Sequence, residues 1–174
     1  MASIGHIAVG MAFGRAYTRD PVLGRKAAIA FSVISIWPDV DAVGFLFGIH
    51  YGDTLGHRGA THSLVIAALV GLGCYVYAQR HGLPAVRTWV FATLVAASHG
   101  LLDTMTYGGG LGCALLSPFT ETRYWAPFRF IPISPIGLGL LSAYGIKVML
   151  TELILFSPFW GYALWPRRPQ PSPG

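Results

Sequence analysis

Four stretches of this chain, residues 27 to 47, 62 to 79, 88 to 107 and 136 to 165, have the length and apolar character of helices that cross a membrane. About twenty residues suffice for such a crossing. The rest of the composition agrees: 53% of the 174 residues are hydrophobic and 11% are charged, whereas an ordinary soluble domain carries roughly a quarter charged residues. A soluble surface would need far more Lys, Glu and Asp, so the excess apolar residues must face lipid. The expected fold is therefore all-α, a polytopic transmembrane helix bundle of about four spans. A shorter apolar stretch, Ile4 to Phe13, adds a half-spanning or interfacial N-terminal helix. The last span contains Lys147, Glu152 and Pro158, and a turn or kink is expected at the proline. Residues 1 to 165 form one membrane domain, with residues 166 to 174 as a Pro-rich, disordered cytoplasmic tail.

The net charge of +5 does not mark a nucleic-acid binder, because the twelve Lys and Arg are scattered between apolar stretches and form no basic face. They fit the bias that enriches cytoplasmic loops in basic residues. Arg15, Arg19, Arg25 and Lys26 put the first loop inside, Arg80 and Arg87 bracket a second inner loop, and Arg167 and Arg168 put the C-terminus inside. Residues 48 to 61 and 108 to 135 then face outward, although Arg58, Arg123 and Arg129 there dilute the contrast. No basic residue precedes the first apolar stretch, so a cleavable signal peptide is not indicated and Met1 is taken as the start of the mature chain. Cys74 and Cys113 lie in apolar or Gly-rich surroundings and are read as small buried hydrophobes.

Ionisable residues within spans are costly and are functional candidates by default. Along the chain they are His6, then Asp39 and Asp41 in Trp37-Pro38-Asp39-Val40-Asp41, then His57, Arg58 and His62 in GHRGATHS, and finally His99 and Asp103. The orientation drawn from Lys and Arg alone places these groups at similar depth, in the outer half of the membrane. His99 and Asp103, at i and i+4, share one helical face and can grip one ion, with Thr106 continuing that face. Asp39 and Asp41 cannot share a face of a regular helix, so Pro38 is expected to open the backbone there. One aspartate would then bind metal while the other orients a ligand or bridges ions. Gly59 interrupts any helix between His57 and His62, letting both turn inward. His50 and His81 lie in loops without partners.

Imidazole and carboxylate without thiolate suit Zn, Mn or Fe. Four histidines (His6, His57, His62 and His99) and three aspartates (Asp39, Asp41 and Asp103) exceed the needs of one zinc. Two divalent ions are therefore expected, activating a water and holding a polar substrate oxygen.

These residues resemble the YdjM/YbcI-type family of bacterial inner-membrane, metal-dependent hydrolases. The likeness runs through Gly5-His6, the Trp-Pro-Asp-x-Asp stretch at 37 to 41, GHRGATHS at 56 to 63, Ser98-His99-x-x-x-Asp103, and FRFIPI at 128 to 133. It implies a polytopic helical protein with a bound divalent metal and hydrolase activity, carried by His6, Asp39, Asp41, His57, His62, His99 and Asp103. The His-x-x-x-Asp helix also looks like that of zinc phospholipase C and the related single-strand nucleases, which points to phosphoester substrates. Residues 108 to 117 carry no acidic residue, and nothing past residue 136 matches a named motif.

The leading functional expectation is a hydrolase of the bacterial inner membrane that cleaves a phosphoester of a lipid or lipid-linked phosphate at the outer, periplasmic leaflet. Asp41 and Arg58 are its expected catalytic groups, the arginine clamping a phosphate oxygen. Two other classes compete. One is a haem or electron-transfer protein with His62 and His99 as axial ligands, in which the aspartates have no task. The other is an ion transporter using the cluster as a transit site, which would require a water path to both sides.

Overall fold

The computed structural model describes residues 3 to 167 and is mostly helical. The expectation of a disordered tail falls largely on residues 168 to 174, which lie outside the described residues. Helix α1, Ser3–Tyr17, is longer than the apolar stretch that signalled it and packs along α2, Pro21–Ile36. The contact is close because Gly10 and Gly14 occupy the α1 face: a Cβ on either would collide with the backbone at Ser32 or Ala28. Small residues four apart let two helix backbones approach in this way, a signal that sequence reading for charge and hydropathy passes over. Helix α2 starts at an Asp20 cap that accepts a hydrogen bond from the Leu23 amide at 2.6 Å, with Pro21 in the first turn.

At Trp37 the α-helix tightens into a 3-10 helix, Trp37–Phe47, which ends at Gly48 with φ 78°. Eleven residues is long for this geometry. A loop leads to a 3-10 turn, Ala60–His62, and the hairpin of α3, Leu64–Arg80, and α4, Ala85–Thr104. Ser63 caps α3 by accepting from the Ile66 amide at 3.1 Å. The end of α4 runs into β1, Thr106–Tyr107, which pairs in parallel with β2, Ile131–Pro132. This two-residue ladder ties the FRFIPI stretch to the foot of α4 and buries Ile131 completely against Ala8, Val9 and Phe156.

Among the described residues, two helices are long and apolar enough to cross a membrane, Pro21–Phe47 and Ala85–Thr104. Leu64–Arg80 is a shorter apolar helix of 17 residues. The expected last span is not one helix. It divides into a 3-10 turn, Gly137–Leu141, then α5, Ala143–Leu155, and α6, Ser157–Leu164. The breaks have local causes: Ser142 caps α5 by accepting from the Gly145 amide, and Pro158 has no amide hydrogen to carry α5 onward. Both helices pack on α1. There the buried Glu152 carboxylate accepts from the Gly5 amide at 3.1 Å, next in sequence to His6. Arg167 closes the described chain by donating to the carbonyls of Arg15 and Thr18.

Candidate metal centre

Three elements deliver four donor residues to one point. Asp39 comes from the 3-10 helix, His62 from the Ala60–His62 turn, and His99 and Asp103 from the last turns of α4. One ligand atom from each lies within 4.8 Å of all the others. The separations are 3.0 Å from His62 Nε2 to His99 Nε2, 3.3 Å from His99 Nε2 to Asp39 Oδ1, 3.6 Å from His62 Nε2 to Asp39 Oδ1, and 3.7 Å from His62 Nε2 to Asp103 Oδ2. A tetrahedral site with bonds of about 2.0 Å spaces its ligand atoms by about 3.3 Å.

The outer nitrogens show which form each ring takes. His99 Nδ1 donates to the Ser35 carbonyl at 2.6 Å, and His62 Nδ1 faces Asp41 Oδ2 at 3.2 Å and Thr61 Oγ1 at 3.1 Å. With the proton on Nδ1, each Nε2 aims a lone pair inward. Two such lone pairs and two carboxylates facing one another repel unless a cation sits among them. The donor set therefore fits a divalent ion, and two nitrogens with two oxygens suit Zn, Mn or Fe alike. The same convergence leaves no slab between His62 and His99 for a porphyrin ring.

Asp41 is bonded through both of its oxygens. Its Oδ1 accepts from His57 Nδ1 at 2.7 Å, and its Oδ2 accepts from the Thr61 hydroxyl at 2.6 Å and the Arg58 amide at 3.2 Å. Asp41, His57 and His62 thus form a second group of possible ligands that shares His62 with the first. The 3-10 geometry explains how Asp39 and Asp41 both reach the cluster. At three residues per turn, positions i and i+2 stand about 120° apart around the axis, against about 160° in an α-helix. The expected opening at Pro38 takes the form of this tighter winding.

His6 is wholly buried and stacks on His99, with ring centroids 3.7 Å apart and planes 13° apart. Its Nε2 lies 3.6 Å from Asp103 Oδ1, so Asp103 turns one oxygen toward His6 and the other toward His62. His50 and His81 stay outside, the first exposed beside Asp53 and the second against the Tyr77 ring.

Arg58 is 1% exposed and adopts φ 64°, a left-handed conformation that is rare for a residue with a side chain. Its flanking glycines permit the turn: a Cβ at Gly56 would meet the His50 carbonyl, and one at Gly59 the Thr54 carbonyl. The turn sends the guanidinium inward, where Nε pairs with Asp103 Oδ2 at 3.0 Å and Nη1 donates to Thr106 Oγ1 at 2.9 Å. Burial works against its charge, but Asp103, Tyr51, Cys113 and Asp39 together more than offset that, so its pKa stays above the ordinary arginine value. Thr106, expected to continue the helical face of His99 and Asp103, lies instead beyond the end of α4, in β1, where its hydroxyl accepts from this arginine.

Three residues that the sequence did not single out complete the site. Arg123 donates to the carbonyls of His57, Tyr51 and Asp53 at 3.0, 3.1 and 3.0 Å, lacing the loop that carries GHRG. Gly100 lets α4 lie against the His62 turn, since a Cβ there would collide with the His62 carbonyl. Tyr51 joins Asp39, His57 and Arg58 around a cavity of about 160 Å³ beside the cluster. Tyr51 carried no local motif. Arg123 had been counted only as an outer-loop charge, yet it and Arg58 spend that charge on internal partners.

The chain matches the family described as YdjM inner membrane protein over residues 1–168. It is also 36% identical over 173 residues to Inner membrane protein YbcI of Escherichia coli (strain K12), covering 95% of this chain and 98% of that protein. No solved structure matches. The chain belongs to the YdjM inner membrane protein family.

Proposed function

We propose that this inner membrane protein is a metal-dependent hydrolase that cleaves a phosphoester of a lipid or lipid-linked substrate. The observation that carries the proposal is the convergence of Asp39, His62, His99 and Asp103 beside a cavity into which Arg58 is turned. Asp39, His62, His99 and Asp103 would hold one divalent ion, and Asp103 with His6 would share a second. A divalent ion there would lower the pKa of water and polarise a substrate oxygen.

The chain's own groups do the remaining work. Asp41 and the Ser35 carbonyl hold the two imidazoles in the donor tautomer. Asp103 fixes Arg58 through Nε, and Thr106 fixes it through Nη1, which leaves Nη2 to meet a phosphate oxygen. A fixed cation stabilises charge that grows on that oxygen in the transition state more than in the ground state. His57, held by Asp41 and lining the cavity, is placed to take or return a proton.

The topology that goes with this activity is multi-pass. In it α3 and the α5–α6 pair complete four crossings, and the site lies toward the periplasmic face. The distribution of Lys and Arg supports that orientation. Gly52→Cys and Phe119→Cys should react with an impermeant thiol reagent from the periplasmic side, and labelling only after permeabilisation would reverse the orientation.

The deciding experiment for the activity pairs elemental analysis of purified protein with a hydrolysis screen of phospholipids and polyprenyl phosphates in added Zn or Mn. More than one equivalent of divalent metal and release of phosphate or a phosphorylated headgroup are expected. Metal-free protein that stays inactive with every added metal would end the proposal.

A further inference from the structure

The cavity beside the cluster holds about 160 Å³. That is room for about five water-sized groups at ~30 Å³ each, and it falls below the roughly 300–1,000 Å³ of pockets that enclose a whole small-molecule ligand. Only a small part of a substrate fits inside. The two walls differ in kind. One is polar, made by Asp39, Tyr51, His57 and Arg58, while the other is the largely apolar run from Ile133 to Leu140, broken by Ser134.

Both walls continue outward into exposed apolar side chains. The 3-10 helix that supplies Asp39 carries Leu46 and Phe47, 84% and 80% exposed, and the Gly137–Leu141 turn carries Leu138 and Leu141, 87% and 74% exposed. Side chains of this size left bare beside a polar cavity mark a surface that meets apolar material. In an inner membrane protein that material is acyl chain.

We infer that the site takes a lipid whose head is a single phosphate monoester, with the phosphate inside the cavity against Arg58 and the chain leaving between the 3-10 helix and the Gly137–Leu141 turn. The inference rests on the phosphoester reading of the metal centre and narrows it. Arg58 supplies the complementary charge, and the cavity volume suits a group the size of one phosphate. Hydrolysis of such a lipid breaks the P–O bond to the lipid alcohol. Water supplies its oxygen to inorganic phosphate and a proton to the alcohol, so no other reactant is needed.

The test uses full-length protein in phosphatidylcholine vesicles with a small fraction of phosphatidic acid bearing a diazirine in its acyl chain. Photolabelling should concentrate on peptides covering residues 40–47 and 136–141, above the level on the exposed face of α5. Excess unlabelled phosphatidic acid should displace it, and phosphatidylinositol should not. Leu138→Asp, at an exposed position that leaves the fold intact, should lower that labelling at least tenfold. Labelling spread evenly over all exposed helices, or equal displacement by phosphatidylinositol, would overturn the inference whether or not phosphate is released. Phosphate release from the same vesicles with added Zn or Mn is read separately. Confined labelling without release supports the lipid site and removes the hydrolase reading instead.

Discussion

The two ends of this chain solve the problem of placing polar groups in an apolar protein in opposite ways. From Trp37 to Thr106 the polar side chains are numerous, buried and mutually bonded, and the backbone that presents them is irregular: a long 3-10 helix, a left-handed Arg58 and glycines pressed against carbonyls. From Ala143 to Leu164 the helices are regular and mostly exposed, and their buried charge is Glu152, which anchors the start of α1. A regular helix aims His99 and Asp103 at one point, but bringing Asp39 and His62 to meet them takes the 3-10 helix and the Ala60–His62 turn. The first region gives up backbone regularity for that convergence, and the second has no such demand.

If that contrast is right, the largest effect belongs to the donors themselves. His99→Ala and Asp103→Ala should each remove most bound metal and all detectable turnover. Elemental analysis of the purified variants reads the first effect, and unchanged metal in both would dissolve the distinction between the regions. Next comes Arg58→Ala, expected to cut turnover by about a hundredfold to a thousandfold, as loss of an oxyanion-stabilising donor does. It should also lower stability, because the buried Asp103 carboxylate loses its ion pair with the guanidinium. Arg58→Lys should restore only part of the rate, since an ammonium lacks the planar fork; full recovery would reduce the arginine to a simple positive charge.

Asp41→Asn sharpens the division between groups that bind and groups that orient. It keeps the shape but weakens the hold on the His57 and His62 rings, and metal affinity should fall about 10–100-fold, measured by competition with a chelator. A complete loss of metal would move Asp41 among the direct ligands. The smallest effect is expected in the regular region: Leu150→Ala, on an exposed face of α5, should change stability by no more than about 0.5 kcal/mol and leave metal content alone. A large loss there would show that α5 holds the site in place.

The sequence by itself determined the class of protein and which polar residues would gather. Sparse charge over long apolar runs required helices in lipid. The residues that resist such surroundings, His6, Asp39, Asp41, His57, Arg58, His62, His99 and Asp103, stood out because burying them is costly, and the structure brings all of them into one neighbourhood. Local spacing was enough for His99 and Asp103, which share a helix face whatever surrounds them. It could not divide roles between Asp39 and Asp41, because that depends on whether the chain winds as an α-helix or a 3-10 helix after Pro38. Arg58 had a role by its chemistry but no direction, which follows from a left-handed backbone held by two glycines. The same limit applied to the 136–165 stretch. Hydropathy reads it as one span, whereas Ser142 and Pro158 cut it into short helices whose place is set by packing on α1. Arg123 and Gly100 escaped notice for a related reason: each acts on residues tens of positions away, and only the folded chain brings those partners within reach.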